Sequence, residues 1–251
     1  MNYSESIRII KQAMRDNKLV IFVGAGASVK SGLPLWCDAL KKIGNHLEGI
    51  NIKEFDNLAI PQFYFNARGE KEYNELMKDI FMYDDKKPNE IHELIVKLNP
   101  FSVITTNYDN FIERTFVDKG EFLDVVKRDN DIPYVKTDRL IIKMHGGFDH
   151  NNFVLKEDDY LSYSNNFPLI ETYVKALMAK NVILFIGYSY TDPDTRQIMS
   201  WVKRILGRDH QRAYLLEASK PHNPNNEDYY KNLGVNILYA RECDENTLPC
   251  W

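Results

Sequence analysis

The stretch Leu19–Gly32 reads LVIFVGAGASVKSG. A short apolar run leads straight into two glycines, then small residues, then a third glycine. This is how a strand enters a backbone loop able to hold phosphate: glycine permits close approach, and the turn's amides face the anion. Four readings of the loop stand side by side. A Walker-type loop needs GxxxxGK followed by Ser or Thr, and GAGASVKS misses it because Val29 stands where glycine's backbone freedom is required. The dinucleotide fingerprint GxGxxG finds Gly24 and Gly26 but meets the same valine, and no second strand ending in an acid follows. A variant dinucleotide loop has Ala25, Gly26 and Ser28 presenting amides and a hydroxyl to a pyrophosphate. A tight strand-to-helix turn without a ligand needs only the glycines.

Working outward, other short apolar runs bounded by turn residues are strand candidates: Phe101–Thr105, Leu140–Met144, Val182–Ile186, Ala213–Leu216 and Val235–Tyr239, besides Leu19–Val23. LVIFV and VILFI are apolar throughout, which suits parallel strands covered on both faces. Helix-length patterns lie between them at Asp109–Asp118, Pro168–Lys180 and Asp194–Leu206. The alternation predicts an α/β fold with a Rossmann-like, doubly wound parallel sheet, whose ligands sit beyond the carboxyl ends of the strands. From Trp36 to Leu98 the pattern is helical without a convincing strand, so we expect one domain over 1–251 with a helical subdomain inserted after the first strand.

Three further stretches put polar residues at strand ends. In VITTNYDNF (103–111), Thr105, Thr106, Asn107 and Asp109 follow an apolar run. Asp109 is in position to cap the next helix, whereas the carboxamide of Asn107 both donates and accepts and can orient a sugar hydroxyl or a water. In LIIKMHGGFDH (140–150), His145 precedes two glycines that let a substrate approach. It reads either as a general base or as a half-buried histidine satisfied by backbone. Zinc binding by His145 and His150 lacks the HExxH spacing. In LFIGYSYTDPDT (184–195), Gly187 and Ser189 suit ribose binding; a nucleophile elbow pairing Ser189 with His145 fails because Thr191 replaces the final glycine.

Composition narrows the classes. With 44% hydrophobic and 27% charged residues the chain of 251 is ordinary for a globular protein. Its net charge of −4 and lack of a basic block give no nucleic-acid footprint. Cys37, Cys243 and Cys250 are scattered, without CxxC or metal spacing, which fits a reducing interior. No run nears the ~18 apolar residues of a membrane span, and MNYSESIRIIKQAMRDNK reads as an amphipathic helix rather than a leader. We expect a cytoplasmic protein that engages neither nucleic acid nor membrane.

In order along the chain, GAGAS with SGLPLW, then TTNYD, KMHG and FIGYSYTDP resemble the sirtuin superfamily. More closely, they are similar to the sirtuin-like NADase domains of bacterial anti-phage defence proteins, the Thoeris effector included. Protein-deacylating sirtuins carry a four-cysteine zinc module and Asp-Phe-Arg after the proline of the first loop; here Leu35–Trp36 follow Pro34 and three cysteines stand apart. The resemblance therefore implies NAD as substrate, hydrolysis rather than deacylation, and no metal. It implies Asn107 as the residue that orients the ribose hydroxyls or the attacking water, and His145 as general base. It implies that Gly24, Ala25, Gly26 and Ser28 cradle the pyrophosphate, that Gly187 and Ser189 face the adenosine ribose, and that Asp109 holds the Asn107 loop. The helical segment would cover the nicotinamide end. The resemblance also implies a homo-oligomer and admits a separately encoded regulatory or ATPase partner. The alternative is an NAD- or ADP-ribose-binding sensor or assembly module with little turnover.

Overall fold

The computed structural model describes residues 3–188, 193–207, 213–218 and 222–240. Seven strands form one sheet: β1 (Leu19–Val23), β2 (Ser102–Thr105), β3 (Asp124–Val126), β4 (Leu140–Lys143), β5 (Val182–Ile186), β6 (Ala213–Glu217) and β7 (Val235–Tyr239). Their order is β3-β4-β2-β1-β5-β6-β7 and every pairing is parallel. This is the doubly wound sheet expected from the alternating pattern, with one strand more than the sequence reading found. β3 escaped because it has three residues, starts with an aspartate, and gets its burial from its neighbour β4 rather than from an apolar run of its own. Phe101 and Met144 fall just outside their strands.

Each central strand feeds two cores, as the period of two requires. From β1, Val20 and Phe22 join Ile183 and Phe185 of β5 on one face, while Leu19, Ile21 and Val23 join Leu184 and Ile186 on the other. The first face is covered by α8 (Pro168–Lys180) and α9 (Pro193–Leu206), the second by α1 (Tyr3–Arg15), α4 (Glu90–Lys97) and α5 (Phe111–Asp118). The segment 36–98 holds α2 (Trp36–Gly44), a 3₁₀ turn, α3 (Ala59–Ile80) and α4. Two short helices, α6 (Glu157–Leu161) and α7 (Tyr163–Asn166), precede α8, and α10 (Pro224–Asn232) precedes β7. Inside α3, Gly69 takes φ 79° and ψ 173°, so the helix is two segments joined at a kink.

A third core lies over the strand ends. Leu40 and Ile43 of α2 and Ile60, Tyr73 and Met77 of α3 pack on Phe153 and Leu155 from the chain after β4. Phe153 is its hinge point: its ring lies 4.7 Å from that of Phe148, 5.7 Å from Tyr73 and 6.3 Å from Tyr108. The reciprocal pair Gln62–Asp158, each giving and taking a bond at 3.0 and 3.1 Å, fastens α3 to α6 alongside. Removing the Phe153 ring leaves a cavity between α3 and the strand-end loops, so Phe153→Ala should lower the unfolding free energy by about 3 kcal/mol in urea titration. A loss under about 1 kcal/mol would mean that the third core collapses to fill the gap.

Candidate functional site

Parallel register brings the four polar stretches to one edge. Val23 pairs with both Thr105 and Ile186, and Thr105 pairs with Lys143, so the loops after β1, β2, β4 and β5 leave the sheet side by side. The chain turns from one half of the sheet to the other between β1 and β5, which places the glycine loop and Gly187 at the topological switch point.

At that point backbone meets backbone. A Cβ on Gly24 would lie 2.7 Å from the Gly187 oxygen, one on Gly26 also 2.7 Å from it, and one on Gly187 2.4 Å from the Ala27 nitrogen. Gly187 also sits at φ +69°. The amides of Gly24 and Gly26 donate to Ile186 O and Gly187 O at 2.9 and 2.8 Å, so both are engaged within the protein. Ala25 is exposed at the tip, where a 3₁₀ helix, Ala25–Ser31, begins.

Under the loop lies a buried polar cluster. The Asn107 carboxamide donates from Nδ2 to Gly24 O at 3.3 Å and to Ser28 Oγ at 3.2 Å. Ser28 Oγ in turn donates to Asp109 Oδ2 at 2.9 Å, while Asp109 Oδ1 accepts from the Phe111 amide at the start of α5. Asp109 thus accepts from both the Phe111 amide, where α5 begins, and the Ser28 hydroxyl of the glycine-loop segment. Thr105 Oγ1 bonds Val23 O at 2.9 Å and accepts from the Asn107 amide, setting the turn that carries Asn107. Asn107 Oδ1 has no hydrogen-bond partner among the described residues.

Two members of this site went unread in the sequence. His92, fully buried, places Nε2 3.4 Å from Ser28 Oγ, and its Nδ1 accepts from the Asn89 amide at 3.0 Å. A ring nitrogen that accepts carries no proton, so His92 is the neutral tautomer protonated on Nε2. Burial holds its pKa below the ordinary value, against the pull of Asp109 and Glu113. Asn89 caps α4 and donates from its side chain to Ala27 O at 2.8 Å, tying that helix to the glycine loop. The signal was present in PNEIH, a cap residue with an acceptor three positions on, which is capping-box spacing. The other is Lys143, which ends β4 at 1% exposure; its sign was a lysine closing an apolar run.

His145 lies two residues past Lys143 and is 6% exposed, with its ring edge-on to Tyr160 at 5.5 Å. Gly146 behind it takes φ +63°, where a Cβ would meet Asn152 O at 2.3 Å. His150 points instead toward Asp149 at the surface, 3.8 Å away. Ser189, Cys243 and Cys250 lie outside the described residues. A cleft of about 450 Å³ is lined by Gly32, Leu33 and Pro34 with Asp38, Asp79 and Lys86; neither Asn107 nor His145 lines it. The rings of Tyr108, Phe148 and Phe81 cluster beside the Asn107 turn, centroids 4.8 to 6.0 Å apart, and the Tyr108 hydroxyl donates to Val154 O at 2.6 Å. Among the described residues no helix is long and apolar enough to cross a membrane, and no three His, Cys, Asp or Glu gather as a metal group.

Two outcomes follow from this geometry. Gly187→Ala combines a left-handed φ with a backbone clash and should cost roughly 2 kcal/mol or more of stability in denaturant titration. His92 makes a pH-dependent contribution of definite sign. Its folded pKa is depressed, so the unfolded chain takes up the proton first as pH falls, and stability declines from about pH 6.5 downward until the folded ring titrates. His92→Gln keeps an acceptor for the Asn89 amide; its melting temperature should fall less steeply than that of the wild type between pH 7 and 5 (a span bracketing free histidine). Equal slopes would remove His92 as the source.

A family model described as SIR2-like domain matches residues 102–238. Defense-associated sirtuin 2 of Bacillus subtilis is 36% identical over 249 residues, covering 95% of this chain and 25% of that protein. NAD(+) hydrolase ThsA of Cytobacillus dafuensis is 32% identical over 211 residues, with 83% and 42% covered. ThsA of Bacillus cereus is 32% identical over 225 residues, with 85% and 46% covered. The chain thus spans between a quarter and about half the length of these relatives. A solved SIR2 homologue–NAD complex shares the fold at a TM-score of 0.56 and 16% identity, over 93% of this chain and 87% of that one. With more than half its length matched by the family model, the chain belongs to the SIR2-like family.

Proposed function

We propose that this chain hydrolyses NAD at the nicotinamide–ribose bond, as the NAD-consuming part of an anti-phage defence protein. The observation that carries the reading is the placement of Asn107 and His145 at equivalent points, two residues beyond the paired strand ends Thr105 and Lys143, beside a glycine loop at the switch point. Relatives named as NAD hydrolases and as a defence-associated sirtuin support it.

Nicotinamide departs with the electron pair of its C1′–N bond, leaving positive charge on the ribose. A water oxygen bonds to C1′, and His145 accepts the proton that water loses. Asn107, fixed through Nδ2, keeps the lone pairs of Oδ1 for a ribose hydroxyl or that water. The exposed Ala25 at the 3₁₀ start takes the pyrophosphate, with Gly24, Gly26 and Ser28 shaping the loop under it, and Gly187 and Ser189 take the adenosine ribose. Asp109 holds the Asn107 turn. No step calls for a metal. We read residues 1–251 as one sirtuin-like unit in which 36–98 covers the nicotinamide end, and we place it in the cytoplasm as a homo-oligomer open to a separately encoded regulatory or ATPase partner.

One observation favours a second reading, an NAD- or ADP-ribose-binding module with little turnover. Asn107 and His145 are only 8% and 6% exposed, and neither lines the cleft beside Gly32–Pro34. Chromatography of purified protein with NAD separates the two. Wild type should release nicotinamide and ADP-ribose, and Asn107→Ala and His145→Ala should each lower kcat by about 100-fold or more. Calorimetric NAD binding without any nicotinamide from the wild type would replace the hydrolase with the module.

A further inference from the structure

We propose that Lys143 is a positioning residue that sets Asn107 relative to His145, by clamping the Asn107 turn from the strand end that carries the histidine. The inference rests on the hydrolase reading only for its kinetic consequence; the clamp itself is a matter of geometry. Lys143 is 1% exposed, and its three ammonium protons have three acceptors: Tyr108 O at 3.2 Å, Asp109 O, and Glu113 Oε1 at 3.1 Å. Two of these are main-chain oxygens of the residues that follow Asn107. The third is the first-turn glutamate of α5, the helix that the same turn starts.

The clamp acts where the strands alone do not. Pairing between β2 and β4 ends at Thr105 and Lys143, with one more bond from the Met144 amide to Thr105 O at 2.9 Å. Beyond it the two chains diverge into separate loops. Two carbonyl oxygens brought together at a buried point need a donor, and a neutral side chain of that length offers fewer protons. The ammonium supplies all three and Glu113 offsets its charge. The cost of burying a cation is thus set against fixing a turn on which catalysis depends, where an error of about 1 Å can cost 100-fold.

A structural role and a positioning role part in the right variants. Lys143→Met alone leaves Glu113 without its cation and should be markedly less stable than the double variant Lys143→Met/Glu113→Met, which removes both charges. The double variant, which still lacks the donor for the Tyr108 and Asp109 oxygens, should melt between Lys143→Met and wild type, with kcat for NAD hydrolysis lowered about 10- to 100-fold and KM moved less than about threefold. Hydrogen exchange read by mass spectrometry should quicken across 105–112 while β1 and β5 keep their protection. A folded double variant with wild-type kcat, or with unchanged exchange at 105–112, overturns the inference. If the wild type hydrolyses no NAD, the hydrolase reading fails on its own, and the exchange result alone decides Lys143. If the double variant does not fold, Lys143→Arg, which keeps the charge on a different fork of donors, takes its place: lowered kcat with intact folding supports the clamp, and wild-type kcat overturns it.

Discussion

The contact on which the rest of the site depends is the one between the ends of β1 and β5, where two chains lie too close for any side chain between them. With Gly24, Gly26 and Gly187 as glycines, the loop after β1 settles onto the β5 end and takes its amide bonds there. That settles Ser28 beneath it, and Ser28 then fixes the direction of Asn107 and Asp109 from the neighbouring strand. The glycines here serve the approach of backbone to backbone as much as that of backbone to ligand. Ala25, at the tip, is left exposed.

Four strand ends rich in polar side chains would repel one another or demand water if left to themselves. Instead they are cross-bonded. Ser28 donates to one partner and accepts from another, His92 is held neutral, and Lys143 is saturated by three oxygens. A network of this kind is rigid only when complete, since each missing partner leaves a desolvated polar atom. Over it sits an aromatic layer built from α3 and the loops after β2 and β4. Asn107 and His145 lie buried near this layer, at 8% and 6% exposure.

The sheet was legible because its strands are buried on both faces, and LVIFV or VILFI leave little else to be. β3 was not, because three residues beginning with Asp124 gain their place from pairing rather than from composition. Asn107 and His145 stood out as candidates because each lies within a few residues of the end of an apolar run. His92 could not be read as part of the same cluster, since nothing in a linear pattern shows that the first turn of α4 lies beneath a loop sixty-odd residues earlier. Lys143 lay inside the strand candidate Leu140–Met144 and was not singled out. Its burial is a three-dimensional fact, created by two carbonyl groups from another loop.

The strand order also bears on how the chain assembles. β1 is central, and it must wait for partners on both sides: Ile21 pairs with Val103 on one flank and Leu184 on the other. During synthesis the half built of β1, β2, β3 and β4 emerges complete, while the opposite edge of LVIFV stays bare until β5 leaves the ribosome. That strand is apolar and rich in β-branched residues, which favours pairing with a wrong neighbour while an edge is bare. The closing of β5 against β1 both seals this edge and completes the glycine junction. The event that ends the hazard is therefore also the one that creates the site.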